Sequence, residues 1–208
     1  MATTTNYGWT TPDNTDLVKD GALAIRTLGS AIDTSMNTAL GTKKAGMVLL
    51  NTTSFSAVAS QSINNVFNAT YRNYRILIDA EGAGSSTDLQ LRLRVGGVDA
   101  SGANTYRRTV LDVNGSSVTA NRNDNSFALL GEVNSNDGAP SWFVIDITQP
   151  FLANETNWMS INSRNQLNSF LSIVAGYHDV TTSYDGFTIF TAGGTNMTGQ
   201  VSTYGYNA

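Results

Sequence analysis

The chain has one histidine, His178, and Asp179 follows it directly. That pair is the first place to look for acid–base or nucleophilic chemistry. An imidazole oriented by a carboxylate works on a nucleophile held beside it, and adjacent residues of a strand project to opposite faces. One histidine and no cysteine also fall short of the usual zinc ligand set. His178 therefore reads as a polar residue at a strand end. Asp79 and Glu81 lie two apart, on one face of an extended segment. Glycosidase carboxylates flank the scissile bond from separate positions, so this pair reads as solvated charge. The glycine-rich EGAGSSTD lacks the lysine and following helix of a phosphate loop. DVNGSS and NRNDNS lack the spaced carboxylates of a dedicated calcium site. No catalytic residue, metal ligand or cofactor is expected.

Aromatic chemistry remains. Trp142, Trp158, Tyr177 and Tyr184 stand among Asn, Thr and Ser, as do Tyr204 and Tyr206. Rings with neighbouring amides and hydroxyls stack on sugars and bond their hydroxyl groups. The first four are the candidate glycan contacts. Alternation places Trp142 and Trp158 within strands, where a core or subunit-interface role competes. A second aromatic pair, Tyr7-Gly8-Trp9, lies near the start of the chain.

The elements that must position these residues divide at about residue 45. Before it, Thr11 reads as a helix N-cap with Pro12 at the first helical position. Asp13 and Asp16 place negative charge where the helix dipole favours it. Val18, Ala22, Ile25, Leu28, Ile32, Met36 and Leu40 recur every three or four residues, one apolar stripe on a helix over 15–40 that Gly41 ends. Such a helix either folds back on its own domain or associates with copies of itself through a narrow seam, and both readings stand.

After residue 45 the period becomes two. In DLQLRLRVGG, Leu89, Leu91, Leu93 and Val95 point one way and Gln90, Arg92 and Arg94 the other. YRILIDAEG, SWFVIDITQP, FLSIVAGYHD and GFTIFTAGG read as further strands. Asn114-Gly115 is expected at a hairpin turn with positive φ at both central residues. Asn136-Asp137-Gly138 and Asp185-Gly186 are further turn signals. About eight to ten strands with no helical pattern between them predict a mainly β fold, an antiparallel sandwich resembling a jelly roll. The expected division is 1–14 as an anchor peptide, 15–44 as a helix and oligomerisation stem, and 45–208 as the sandwich.

Composition limits the partners. Only 13% of the 208 residues are charged, about half the usual share. Ser, Thr and Asn fill about a third of the chain, so the polar surface is made of hydroxyls and amides. A net charge of −4 leaves no electrostatic footprint for nucleic acid or for an anionic membrane. No run of residues reaches the length of a membrane span, and no signal peptide is evident.

The opening NYGWTTPDNTDLVKDGALAIRTLGSAIDTSM resembles the N-terminal segment of tailed-bacteriophage virion proteins. The likeness rests on Tyr7-Gly8-Trp9, Thr11-Pro12-Asp13, Asp16-Leu17-Val18-Lys19-Asp20-Gly21 and Ile25-Arg26-Leu28-Gly29-Ile32-Asp33. VFNATYRNYRILI, LQLRLRVGGVDASGANTY and TNMTGQVSTYGYNA are similar to a β-domain of phage fibre-like proteins. The resemblance implies a virion localisation and a homotrimeric appendage exposed on the particle. Tyr7, Gly8, Trp9 and Pro12 would anchor it on a capsid or tail protein, the competing reading being that Tyr7 and Trp9 pack on the chain's own helix, and Val18, Ile25, Leu28, Ile32 and Met36 would form the oligomerisation helix. The near absence of a shaft favours a short head fibre, decoration or tail accessory protein. Two other classes stay open: a module binding carbohydrate or another host-surface receptor, and an enzyme acting on surface polysaccharide.

Overall fold

The computed structural model describes residues 2–13, 15, 17–41, 46–84, 86–135, 140–164 and 170–206. They belong to two compact units, Met1–Gly46 and Met47–Ala208. The expected turn at residues 136–138, the charge of Asp16 and the side chain of Leu40 lie outside the described residues.

The first unit pairs two short strands, β1 (Ala2–Thr3) and β2 (Thr10–Thr11), antiparallel, and follows them with helix α1 (Gly21–Met36). The expected start of the helix is corrected here. Thr11 is a strand residue, and Asp13 accepts from the Thr15 amide (2.8 Å) and hydroxyl (2.6 Å) in a local turn. A 3₁₀ turn at Val18–Asp20 leads into α1, and no side chain caps it. Short polar side chains that bond their own backbone compete with helix, and here that competition delays the helix to Gly21. Past Met36 the chain continues as a π-helical turn, Asn37–Gly41, so Gly41 is not a simple terminator.

The second unit is a β-sandwich. In chain order its strands are β3 (Met47–Val58), β4 (Ser60–Ile63), β5 (Asn73–Gly82), β6 (Thr87–Val95), β7 (Val98–Asp99), β8 (Tyr106–Asn114) and β9 (Ser117–Asn125). There follow β10 (Ala128–Ser135), β11 (Ser141–Thr148), β12 (Thr156–Arg164), β13 (Phe170–His178), β14 (Gly186–Thr191) and β15 (Met197–Tyr206). The larger sheet runs β3–β15–β5–β11–β12–β13–β8–β9 and the smaller β4–β14–β6–β10, with β7 beside β6. Every pairing is antiparallel except a two-residue parallel step where the end of β10 meets β5. There are more strands than the periodicity suggests, because elements as short as β4 and β7 contain too few residues to display a period.

The core lies between the sheets. Ile76 and Ile78 of β5, Phe143 and Ile145 of β11 and Trp158 of β12 meet Leu89, Leu91 and Leu93 of β6, Leu130 of β10 and Phe187 of β14. The alternation read in β6 holds for its three leucines but not for Val95, which is exposed where the chain turns at Gly96-Gly97. Gln90 and Arg94 on the opposite side of β6 are buried too, and the Arg94 guanidinium donates to Thr188 (2.9 Å). The hairpin between β8 and β9 also differs. Asn114 pairs with Ser117, so Gly115-Ser116 is the two-residue loop, and only Gly115 has positive φ, 59°. Glycine at the first central position is the other favoured hairpin solution. Asp185-Gly186 leads straight into β14 instead of turning, and the Asp185 carboxylate accepts from the Gly96 amide (2.8 Å).

Candidate functional site

His178 is part of a closed structural network. Its ring is buried against Tyr106, with centroids 4.1 Å apart. The Thr105 carbonyl can only accept, so Nδ1 donates to it (3.2 Å) and Nε2 accepts from the Tyr184 hydroxyl (2.7 Å). Burial holds the imidazole pKa below its ordinary value, which agrees with this neutral tautomer. Asp179 pairs with Arg107 (3.1 Å) and not with the ring beside it in sequence. Among the described residues no group of three or more His, Asp and Glu side chains could hold a metal ion.

The four candidate glycan contacts do not form one site. Trp158 and Tyr184 are core residues with 6% and 2% of their surface accessible, which removes both as glycan contacts. Trp158 lies over Gly176, its cross-strand partner on β13, where a Cβ would fall 2.6 Å from the indole and collide with the Arg107 carbonyl. Tyr177 is half-buried on the outer face of the larger sheet, level with Arg107 and Asp124. Trp142 shares that face, is 57% accessible, and stands near the opposite end of the strands.

Trp142 sits on β11 beside Asp79 of β5, which in turn faces Gln200 of β15. With Leu77, Ser202 and Tyr204 they line an open groove of about 420 Å³. Hydroxyls and amides extend it onto β3, where Gln200 donates to Ser54 (3.2 Å) and Thr52 bonds Ser202 (3.1 Å). At the other end of β11, Arg75 holds Asp146 through two bonds of 2.8 and 2.7 Å, and the Tyr206 hydroxyl donates to the same carboxylate (2.9 Å). The hydrogen bonds from Arg75, then those from Tyr206, keep the Asp146 carboxyl below its ordinary pKa. The groove offers an exposed ring face, one carboxylate, one amide and several hydroxyls. That set can stack on a pyranose and bond its hydroxyl groups. Sequence reasoning found Trp142 but missed Gln200, Ser202 and Asp79 as its companions, because only the pairing of β15 with β5 brings them together.

In the first unit, Tyr7 and Trp9 stack with ring centroids 5.0 Å apart. Gly8 between them has φ 65°, donates to the Thr4 carbonyl (3.0 Å) and leaves open space where a side chain would be. The Trp9 indole N–H donates to Ser35 of α1 (2.9 Å), while Tyr7 is exposed. Pro12, Thr10, Leu23, Ala24 and Thr27 border a hollow of about 410 Å³ between β2 and the start of α1. The predicted stripe is divided. Leu28 and Ile32 are half-buried, while Val18 is 96% accessible and Ile25 and Met36 are also exposed. No residue of α1 is fully buried. Half-buried positions Gly21, Ala24, Leu28, Ala31, Ile32 and Ser35 mark its covered side, a face of mostly small residues that contributes little apolar area.

Fold and site together define a mainly β, two-unit protein whose outer sheet face carries an open, aromatic and hydroxyl-lined groove. Comparison of the chain with protein-family models, curated proteins and solved structures finds no match in any of the three. None of the helices among the described residues is long and apolar enough to cross a membrane.

Proposed function

We propose that the chain is a non-enzymatic structural protein of a bacteriophage particle, a short fibre or decoration appendage that forms a homotrimer. It attaches through its N-terminal unit to a capsid or tail protein and displays the sandwich outward. One observation carries the reading: the first unit buries no helix residue fully and leaves most of its large apolar residues exposed, whereas the second buries a core of its own. Tyr7, Leu17, Val18, Leu23 and Ile25 are all exposed on a segment of only 46 residues, which needs a surface to complete its burial. Tyr and Trp are among the residues that most often anchor interfaces. The resemblance of this segment to phage virion proteins supports the same assignment. Particles assembled with Trp9→Ala are expected to lose the chain, and incorporation at normal copy number would sink the reading.

Glycan binding at the outer face is a second reading, favoured by the Trp142 groove. Titration of the full chain with host-envelope oligosaccharides should quench or shift tryptophan fluorescence, and Trp142→Phe should remove the change. A response that persists in that variant rejects the groove as the site.

A further inference from the structure

On β12, beyond the core residue Trp158, the ordinary sense of a sandwich strand is reversed. Toward the smaller sheet β12 presents Ser160 and Asn162, both fully buried, and toward the outside it presents Met159 and Ile161, both exposed. The inward polar groups have a structural reason. Strand β10 crosses close beneath them at Gly131, where a Cβ would lie 2.6 Å from Asn162. Ser160 donates to the Leu130 carbonyl (2.7 Å), and the Asn162 side-chain carbonyl accepts from the Glu132 amide (3.1 Å). The outward apolar groups have no such reason within the unit.

The register assembles them into a patch. One row across the outer face reads Val144, Ile161, Ile173, Leu111 and Ala120 on β11, β12, β13, β8 and β9. The next row adds Leu171, Val113 and Val118 with Ser163 beside them, and the row on the other side adds Met159 and Ala175 between the polar Asp146, Thr109 and Arg122. Charge returns at the rim, where Arg107 pairs with Asp124 and Asp179, and at the polar Asn114–Ser117 hairpin. An apolar centre with a polar rim is the anatomy of a protein interface. At about 4.8 Å between strands and 6.8 Å between same-face residues, the five strands and three rows cover about 500 Å² in projection. Its apolar part falls within the range of the largest patch on a typical monomer. With its rim it approaches the roughly 800 Å² per partner of a stable complex.

We infer that this face is where copies of the chain pack on one another, around a three-fold axis beside β13. The inference rests on the self-association in the function proposed above and specifies its surface. The dimensions suit three copies. Five strands occupy about 24 Å of sheet width, and three such walls closed into a triangular prism stand about 7 Å from the axis, within reach of facing side chains given the usual ~10 Å between packed sheets. The strip ends at Trp142, so the polar groove on β5 and β15 stays open to solvent at the rim.

The test uses the full chain. Light scattering of the wild type should give about 67 kDa, three times the 22.2 kDa chain. Leu111→Lys with Ile161→Lys, both at exposed positions, should reduce this threefold to the single-chain mass with the circular-dichroism spectrum retained. Because the chain has no cysteine, Ala175→Cys gives a second measurement that does not depend on the lysine variant folding. A short bis-maleimide should link copies through the central strand, where the prism sets the Cα atoms further apart than a disulfide reaches, whereas Ser117→Cys on the hairpin should not link. A wild-type mass of one or two chains overturns the inference and leaves the face to another protein or ligand. An unchanged trimer in the lysine variant, or no link at Ala175→Cys, overturns it as well and assigns the association to the helix. The Trp9→Ala incorporation assay reads attachment alone, so failure of the appendage reading stays distinguishable from failure of this one.

Discussion

The outer face of the larger sheet has two halves that meet at Trp142. On β3, β15 and β5 the outward residues include Thr52, Ser54, Gln200, Ser202 and Asp79, and their hydroxyls and amides bond one another across the strands. On β11, β12, β13, β8 and β9 the outward residues are Val144, Ile161, Ile173, Leu111 and their neighbours. Both halves share one backbone ladder, with the main core beneath and a second buried cluster of Val110, Leu129 and Val174 under β8 and β13, so strand pairing does not explain the difference. Water solvates most of the first half at little cost, Met47 and Leu49 at one end of β3 excepted, whereas the second leaves a broader apolar surface in contact with water. The contrast therefore separates a surface suited to polar ligands from a surface suited to burial.

The largest effect should come from the covered side of the apolar half. Trp158→Ala removes a core indole beneath Met159 and Ile161 and is expected to cost about 3–5 kcal/mol in chemical denaturation. Ile161→Ala, measured at dilution low enough to hold single chains, should cost about 1 kcal/mol or less. Equal losses at the two positions would mean that Ile161 is covered within the chain, and the contrast between the halves would fail.

Next comes the pH response of the covered side. The buried, neutral His178 has a lowered pKa. Its unfolded form gains a proton below about pH 6.5 while the native form does not. Stability is thus present above pH 6.5 and lost as the pH falls from there toward the native pKa. His178→Gln should flatten thermal unfolding against pH over that interval, and a slope as steep as the wild type's would assign the response elsewhere.

A smaller effect is expected at the Arg75–Asp146 pair, which joins β5 to β11 on the line between the halves. Each side chain is about a third exposed (33% and 31%), so Asp146→Asn should cost roughly 1 kcal/mol or less. The Asp146 pKa is lowered, so its contribution is present above pH 3.8 and disappears as the pH falls through the native pKa. High salt should shrink the loss. The smallest change belongs to Trp142→Ala, expected within about 0.5 kcal/mol of wild type while abolishing any fluorescence response to sugars. A large destabilisation there would make Trp142 a packing residue and remove the groove as a site.

Much of this arrangement is legible in the sequence. The leucines of DLQLRLRVGG, the strand character of SWFVIDI and FLSIVAGYH and the hairpin near Gly115 followed from period-two patterning and turn chemistry. The sequence reads His178 as a polar residue at a strand end; it does end β13, but it is buried and bonded to Thr105 and Tyr184. The start of α1 was misread because Thr11, Pro12 and Asp13 satisfy a capping pattern that the local turn at Thr15 takes over. Trp158 and Tyr184 were grouped with Trp142 because ring type and polar neighbours say nothing about which side of a strand is covered.

That last point marks the division between sequence and tertiary structure in this protein. Alternation along the chain determined which residues share a face, since successive side chains of a strand must point to opposite sides. It also determined that a helix-period segment precedes a body of period two. Which face of β12 looks inward was decided only by folding, because Ser160 and Asn162 are admitted to the interior by the close passage of β10 at Gly131. The two halves of the outer face were likewise decided by register alone. Cross-strand pairing puts Gln200 beside Asp79 and Ile173 beside Leu111, and no local property of the chain encodes contacts between residues so far apart in sequence.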